Sequence, residues 1–266
     1  MTVMVLKLQR IALLLLLQLA FLALGASVSI LPFAAKERRL RIASRCMRWW
    51  ARIGCLLLGI RVTATGAFDR DAVYFLASNH CSYLDILVIG SIMPAVFVSK
   101  SEVGSWPVAG WLARLAGTVF VERQSKASSL PAIGEVKSRI ASGVSVIIFP
   151  EGTTNDGKTI REFKSTFFHV PAEMPVPVLP VSLLYARING QPVTAEAKDP
   201  IAWYGEMPLL PHFWNLVGIR SIDARVHFSP PLSPRIRASS FQERKELASR
   251  AEAAVRAGYL LLRDSA

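Results

Sequence analysis

The residue pair in the sequence best suited to proton transfer is a histidine and an aspartate five positions apart, His80 and Asp85. On one straight helix these side chains would point about 140° apart. They meet only if His80 lies in a turn and Asp85 in the first turn of the following helix. Asp85 would then accept from one ring nitrogen and leave the other free as a base. A purely structural role stays open, because Ser82 and Asp85 also form a capping pattern that braces a helix start.

Cys81, next to His80, offers a different chemistry as a thiol nucleophile. The three cysteines, Cys46, Cys55 and Cys81, form no CxxC pair, and no second histidine stands at a position typical of a Cys-His pair. An odd, scattered set of cysteines gives no disulfide framework and favours a reducing compartment. We therefore expect His80 rather than Cys81 to carry the reaction.

A second segment with ligand-binding potential runs from Gly117 to Arg123. Its apolar centre predicts a short strand that ends just before Arg123. A guanidinium is well shaped for bidentate contact with phosphate or carboxylate. The alternative is a solvated charge at a strand end, paired with Glu122.

A third segment, residues 149–157, breaks a β-branched strand at Pro150 and continues as a polar loop rich in glycine and threonine. Such a loop can offer backbone N–H groups and hydroxyls to a polar headgroup, and Glu151 can position a hydroxyl or a cation. An ordinary turn is the alternative. A fourth segment, residues 176–181, is an apolar strand that either lines a groove for an acyl chain or belongs to the core.

The elements that must position these segments alternate along the chain. We predict strands at residues 72–77, 95–98, 118–121, 144–149, 176–184 and 224–228. We predict helices at residues 86–92, 106–116, 130–141 and 241–262. This alternation is typical of an α/β domain with a mixed sheet flanked by helices. Loops at strand ends are where such folds place reacting groups.

The amino-terminal segment is apolar over residues 11–33, and about 20 such residues cross a bilayer as a helix. The segment either spans the membrane or lies partly embedded in it. Six basic residues follow it within residues 36–48, which predicts that the rest of the chain stays in the cytoplasm. A cleaved signal peptide is the alternative. Trp49 and Trp50 suit either a headgroup-level anchor or a core helix. We therefore divide the chain into a membrane-anchoring helical segment, 1–60, and a catalytic domain, 61–266.

Composition supports a membrane partner. The 266 residues are 52% hydrophobic, with a mean hydropathy of +0.37, a net charge of +12 and a pI near 10.1. Such a charge suits an anionic bilayer or nucleic acid. No zinc spacing or RNA-binding signature accompanies it, and the basic residues adjoin apolar runs. We expect an anionic membrane surface and no nucleic acid.

Taken in order, the four segments resemble the glycerolipid acyltransferase family, which includes 1-acyl-sn-glycerol-3-phosphate acyltransferases. The resemblance covers residues 60–230, and four ordered motifs are far more specific than one. The motif residues that match are His80 and Asp85, then Gly117, Phe120 and Arg123, then Phe149, Pro150, Glu151 and Gly152, then Pro177 and Pro180.

The resemblance implies a mechanism. His80, held by Asp85, removes the proton of an acceptor hydroxyl, and that oxygen attacks the thioester of acyl-CoA or acyl carrier protein. No acyl-enzyme is formed, and no metal or other cofactor takes part. The substrate-binding residues that the resemblance implies are Lys100, Gly117, Arg123, Glu151, Gly152, Thr153, Thr154 and Lys164.

One departure from the family pattern concerns the acceptor. Thr154 stands where the phosphatidic-acid-forming branch has an arginine. Residues 151–157, 163–164 and 202–207, with Pro211 and His212, are instead similar to lyso-ornithine lipid acyltransferases. A zwitterionic aminolipid needs less cationic charge, so both acceptors stay open.

Two other functions also stay open: a lipid hydrolase or transacylase on the same scaffold, and a non-catalytic basic membrane-binding protein. For the remaining histidines, His169, His212 and His227, we expect structural roles.

Overall fold

The computed structural model describes residues 2–30, 36–122, 129–193, 200–235 and 240–265. The helices are α1 (Val3–Ile30), α2 (Lys36–Leu58), α3 (Leu84–Ile92), α4 (Ser101–Gly104), α5 (Ala109–Leu115), α6 (Leu130–Ala141), α7 (His169–Glu173), α8 (Leu209–Leu216) and α9 (Ser240–Asp264). The strands are β1 (Ile60–Gly66), β2 (Phe75–Ser78), β3 (Ala95–Lys100), β4 (Val119–Val121), β5 (Ser145–Ile148), β6 (Val178–Ile188), β7 (Gln191–Pro192) and β8 (Ile222–Phe228).

The strands form one mixed sheet in the order β1-β8-β6-β2-β5-β3-β4, with β7 paired to β6. The pairs from β6 through β2, β5 and β3 to β4 are parallel, whereas β8 runs antiparallel to β6. The predicted mixed α/β sheet is therefore confirmed. Because β2, β3, β4 and β5 run parallel, their carboxyl ends share one edge of the sheet, which we call the C-terminal edge. The opposite edge is the N-terminal edge.

Helices cover both faces of the sheet because its central strands are buried on both sides. Successive side chains of a strand point to opposite faces. In β2, Leu76 joins the core packed by α2 and α3, whereas Phe75 and Ala77 join the core packed by α6 and α9. The two-residue period thus divides the interior into two hydrophobic layers.

The helix α2 packs on the domain, as the core-helix alternative for the tryptophan pair predicted, and the headgroup-level anchor stays a prediction. Met47, Ala51 and Cys55 of α2 are buried, and they belong to the same core as α3. Trp50 is half-buried, and its Nε1 donates to Oε1 of Gln18 in α1 at 2.9 Å. Trp49 has 62% of its surface exposed. The helix therefore packs on the domain with one tryptophan and presents the other outward.

The helix α1 is long and apolar enough to cross a membrane, and most of its surface is exposed. It is nevertheless tied to the α/β domain by Arg10, which is buried. The Arg10 guanidinium donates to the carbonyl oxygens of Val217 at 3.1 Å, Ile219, and Arg220 at 3.1 Å. A buried guanidinium needs such acceptors. The helix therefore lies along the domain, and the division at residue 60 separates two regions that pack together.

Candidate active site

The turn between β2 and α3 brings His80 and Asp85 together. The strand ends at Ser78, His80 lies in the turn, and the helix begins at Leu84, so Asp85 is in its first turn. Nδ1 of His80 lies 2.7 Å from Oδ2 of Asp85. This is the geometry that the five-residue spacing required. The imidazole is 17% exposed and the carboxylate is fully buried.

The Asp85 carboxylate accepts hydrogen bonds at both oxygens. Oδ2 accepts the backbone N–H of Cys81 at 2.8 Å and of Ser82 at 3.0 Å, besides His80. Each of these neighbours is a donor, so together they fix the position of the carboxylate oxygen. The same oxygen therefore stabilises the turn and orients His80. The structural and the catalytic interpretations of the motif are compatible.

Tyr185 of β6 supplies the nearer partner of the other oxygen, which the Cys81 thiol also approaches at 3.9 Å, and the sequence motifs did not identify this tyrosine. Its hydroxyl donates to Oδ1 of Asp85 at 2.7 Å. Burial raises the pKa of Tyr185 well above its usual value, and the charge of Asp85 raises it further. The phenol therefore stays protonated and remains a donor. Its sequence signal is a tyrosine inside an apolar strand, whose hydroxyl must find a partner when buried.

The Asp85 carboxylate accepts the hydrogen bond, so Nδ1 of His80 donates it and carries the proton of the neutral imidazole. Nε2 then has the lone pair that a general base needs. The ring plane is fixed by Phe149, which stacks on it with centroids 3.9 Å apart and an interplanar angle of 12°. Phe97 stacks on Phe149 in turn, at 6.2 Å. The aromatic residue of the Phe-Pro-Glu-Gly segment thus orients the base.

Glu151 joins the catalytic turn to the loop after β5. Its buried Oε1 accepts the backbone N–H of His80 at 2.8 Å. Oε2 accepts the backbone N–H of Arg161 at 2.9 Å and the side-chain amide of Asn155. Burial raises the pKa of Glu151, and these hydrogen bonds oppose that rise. The carboxylate therefore acts as a clamp within the chain, and its predicted contact with an acceptor headgroup stays a prediction.

Lys164 lies across Gly152, so these two predicted binding residues are brought together. Gly152 has a positive φ of 79°, and a Cβ at this position would come 2.7 Å from Nζ of Lys164. The backbone N–H of Lys164 donates to the carbonyl of Pro150 at 2.9 Å. Thr153 and Thr154 are half-buried on the same loop. This loop places a lysine ammonium beside the third motif, at the C-terminal edge.

The three remaining predicted binding residues are distributed differently. Lys100 is exposed at the end of β3, where it pairs with Val121 of β4, so it lies at the C-terminal edge. Arg123 lies outside the described residues. Gly117 precedes β4 and packs against Val96 and Leu40, so it lies toward the N-terminal edge. Its φ of +80° shows a turn that only glycine adopts readily.

Histidine 212, for which we expected only a structural role, contacts the catalytic motif. The Tyr83 hydroxyl lies 2.9 Å from Nδ1 of His212, and Nε2 of His212 lies 3.2 Å from the carbonyl of Ala202. A carbonyl only accepts, so Nε2 carries the proton and Nδ1 accepts from Tyr83. Burial lowers the pKa of His212, which favours this neutral form. The backbone N–H of Trp203 also donates to the carbonyl of Cys81 at 2.8 Å. The segment around residues 202–212 therefore packs on the catalytic turn.

Comparisons with known proteins show what this chain is similar to. Residues 59–184 match the family model described as Acyltransferase. A lyso-ornithine lipid O-acyltransferase from Rhizobium meliloti is 39% identical over 68% of this chain and 64% of its own length. One from Brucella abortus is 32% identical over 87% of this chain and 88% of its own. A 1-acyl-sn-glycerol-3-phosphate acyltransferase from Neisseria meningitidis is 30% identical over 66% of each chain.

The fold is that of a solved structure. The crystal structure of the 1-acyl-sn-glycerophosphate (LPA) acyltransferase PlsC from Thermotoga maritima superposes with a TM-score of 0.61. The match covers 96% of this chain and 98% of that one, at 22% identity. The two chains share the sheet, its flanking helices and the amino-terminal helical region as one architecture.

Proposed function

This chain belongs to the acyltransferase family, which confirms the resemblance seen in the sequence, and we propose that it transfers a fatty acyl chain from a thioester to the free hydroxyl of a lysolipid. The observation that carries the proposal is the His80–Asp85 pair, with a 2.7 Å contact at Nδ1 and Nε2 left for proton transfer. A base positioned in this way suits the activation of an alcohol.

The proposed reaction has two steps. Nε2 of His80 takes the proton of the acceptor hydroxyl as its oxygen bonds to the thioester carbonyl carbon. The carbonyl π electrons move to oxygen and form a tetrahedral oxyanion. When the oxyanion collapses, the carbon–sulfur bond breaks, and the thiolate takes the proton back from the imidazolium. The Asp85 carboxylate stabilises the imidazolium between the two steps. No covalent acyl-enzyme is formed, so Cys81 keeps its thiol.

Lyso-ornithine lipid is the acceptor that the chain itself favours. Thr154 stands where the resemblance to the phosphatidic-acid-forming branch implies an arginine, so the loop after β5 has one cation fewer for a phosphate. The relatives from Rhizobium meliloti and Brucella abortus both have this acceptor in their names.

Lysophosphatidate is the second candidate, and one feature of the loop supports it. The ammonium of Lys164 lies beside Gly152, where it can neutralise a phosphate. The Neisseria relative, at 30% identity, has this acceptor in its name.

For the location, we propose that the protein is held at the cytoplasmic membrane with its α/β domain in the cytoplasm. The support is the exposed apolar surface of α1 and the basic residues that follow it. Arg10 and Gln18 tie α1 to the rest of the protein at two points, which favours a helix lying in one leaflet over one that crosses the bilayer. The donor is acyl-CoA or acyl carrier protein, and no other cofactor takes part.

The test offers the full-length enzyme both lysolipids, with labelled acyl-CoA or labelled acyl carrier protein in parallel reactions. We expect label in the diacyl product of lyso-ornithine lipid. When the donor is omitted, we expect no diacyl product to form. Product from lysophosphatidate alone would identify the second candidate. Fatty acid release without a donor would indicate a hydrolase, and lipid binding with no product from either acceptor would indicate a binding protein.

A further inference from the structure

Four arginines line a groove at the N-terminal edge of the sheet. The groove, about 480 Å³ in volume, lies between α2, the end of α3 and the turns that precede β2 and β5. Its arginines are Arg41, Arg45, Arg48 and Arg70. We call the cavity that these four residues line the arginine groove.

The arginine groove is separate from the catalytic turn. Val73 lines the groove just before β2, and His80 follows the same strand. The four residues of β2 alone separate the two ends by about 13 Å at ~3.3 Å each. Acceptor and donor of the proposed reaction must both reach His80 at the C-terminal edge, where parallel sheets bind their ligands. A molecule in the groove is therefore not the one that reacts.

The groove keeps a net positive charge, because its lining holds four arginines and one carboxylate, that of Asp71. Among residues the structure describes, none of the four arginines forms an ion pair with a carboxylate. Arg41 and Arg48 instead donate to the backbone carbonyls of Ser142 and Ser91, at 3.1 and 3.5 Å. These contacts hold two guanidinium groups in place without cancelling their charge.

The arginines also repel one another. Burial lowers the pKa of Arg48, and the positive charges of Arg52 and Arg70 lower it further. Like charges held close together disfavour each other's ionised form. An anion that enters the groove relieves this repulsion, so the groove is complementary to a negatively charged group.

The surroundings of the groove favour a lipid over a soluble anion. Trp49 lines the groove, and Ile53 and Leu56 follow it on the same side of α2. All three side chains are exposed. Tryptophan concentrates at the headgroup level of a bilayer, with apolar side chains reaching below it. Exposed apolar side chains beside a cationic groove can contact the acyl chains of a lipid whose phosphate enters the groove, whereas a free phosphate would leave them unused.

We propose that the arginine groove binds the phosphate of an anionic phospholipid and so holds the N-terminal edge of the sheet at headgroup level. The proposal rests on the proposed membrane location. It adds a lipid site that is distinct from the acceptor site and is not consumed in the reaction. Its effect is on the retention and orientation of the enzyme, not on the proton transfer at His80.

The experiment measures binding of the full-length protein to vesicles by flotation. One set contains phosphatidylcholine alone and the other adds phosphatidylglycerol. The variant Arg45→Gln/Arg70→Gln removes two exposed charges that make none of the backbone contacts described above. Each cation near an anionic surface contributes to binding, so we expect an about 10- to 30-fold weaker affinity for the anionic vesicles. Affinity for phosphatidylcholine and turnover on micellar substrates should be unchanged.

The matched control is Lys245→Gln/Arg263→Gln. It removes two exposed charges from α9, which packs on the other face of the sheet. We expect less than a twofold change in vesicle affinity. Equal losses in both variants would mean that only net charge matters, which overturns the groove as a site.

Two further outcomes separate this inference from the proposals on which it rests. Wild-type protein that binds both vesicle types equally would overturn the groove and leave the membrane location standing, whereas no binding to either would refute the location itself.

Acyl carrier protein is immobilised in a parallel assay. If the groove variant loses only that binding and keeps its affinity for anionic vesicles, the groove binds a protein and the lipid proposal is wrong.

Discussion

The two edges of the sheet treat charge in opposite ways. At the C-terminal edge, the carboxylates of Asp85 and Glu151 are buried, and every one of their oxygens accepts a hydrogen bond from the chain. At the N-terminal edge, the guanidinium groups of the arginine groove are largely exposed and lack carboxylate partners among the described residues. A reacting group needs one fixed geometry, which saturated hydrogen bonds provide. A surface that meets a fluid bilayer needs available charge instead.

The largest expected effect is the loss of catalysis at the C-terminal edge, with membrane binding at the N-terminal edge unchanged. His80→Ala removes the base, and general-base catalysis contributes about 10²- to 10⁴-fold. We expect acyl transfer to fall by that factor, while flotation with anionic vesicles stays at the wild-type level. The measurement is product formation in isolated membranes, normalised to inserted protein. Wild-type turnover in this variant would show that His80 is not the base.

A smaller effect is expected from the hydroxyl that holds Asp85. Tyr185→Phe leaves Oδ1 of the buried Asp85 carboxylate with the Cys81 thiol, at 3.9 Å, in place of a hydroxyl donor. Hydrogen bonds to charged groups contribute about 1.5–3 kcal/mol. We expect the free energy of unfolding to fall by about that amount. Turnover should fall about tenfold for each ~1.4 kcal/mol that the loss of this hydrogen bond adds to the activation free energy.

Chemical denaturation and initial rates measure these two effects of Tyr185→Phe. Tyr74→Phe is the matched control, because among the described residues the Tyr74 hydroxyl hydrogen-bonds to the backbone N–H of Asp69 and not to Asp85. An equal loss of turnover in both variants would argue against a positioning role for Tyr185.

Salt should weaken membrane binding by the N-terminal edge more than it lowers turnover at the C-terminal edge. Raising ionic strength from about 0.1 M to about 1 M shortens the screening length from ~10 Å to ~3 Å. We expect severalfold weaker binding to anionic vesicles, because the arginines are exposed. Turnover on micellar substrate should change less, because the 2.7 Å contact of Asp85 with His80 is buried from solvent. Salt-independent vesicle binding would contradict the electrostatic account.

The smallest effect concerns His212, which joins α8 to the catalytic turn. Its pKa is lowered in the folded protein, so the unfolded chain binds more protons below the usual value of 6.5. Stability should therefore fall as pH drops from about 7 to 5. We expect His212→Gln to remove part of that decrease, about 1 kcal/mol or less, which thermal melts at the two pH values measure. An identical pH dependence in both proteins would refute this assignment.

The sequence determined the catalytic turn because its geometry is local. His80 and Asp85 lie within one strand–turn–helix unit, and the spacing of five allows only one arrangement in which they meet. Hydrophobic periodicity, which is also local, predicted the strands β2 to β6 and β8 and the helices α3, α5, α6 and α9. It missed β1, β7, α4, α7 and α8, most of which are short. The membrane-suited composition of α1 is likewise a property of consecutive residues.

The tertiary structure alone decided which distant residues complete the site. Tyr185 reaches Asp85 because β6 pairs with β2, although one hundred residues separate them. His212 contacts Tyr83 only through the docking of α8. Conversely, Gly117 belongs to a family motif, yet it lies away from His80, toward the N-terminal edge. A motif states only which residues occur. The order and direction of the strands fix the distances between those residues, because sheet pairing joins segments irrespective of their separation along the chain.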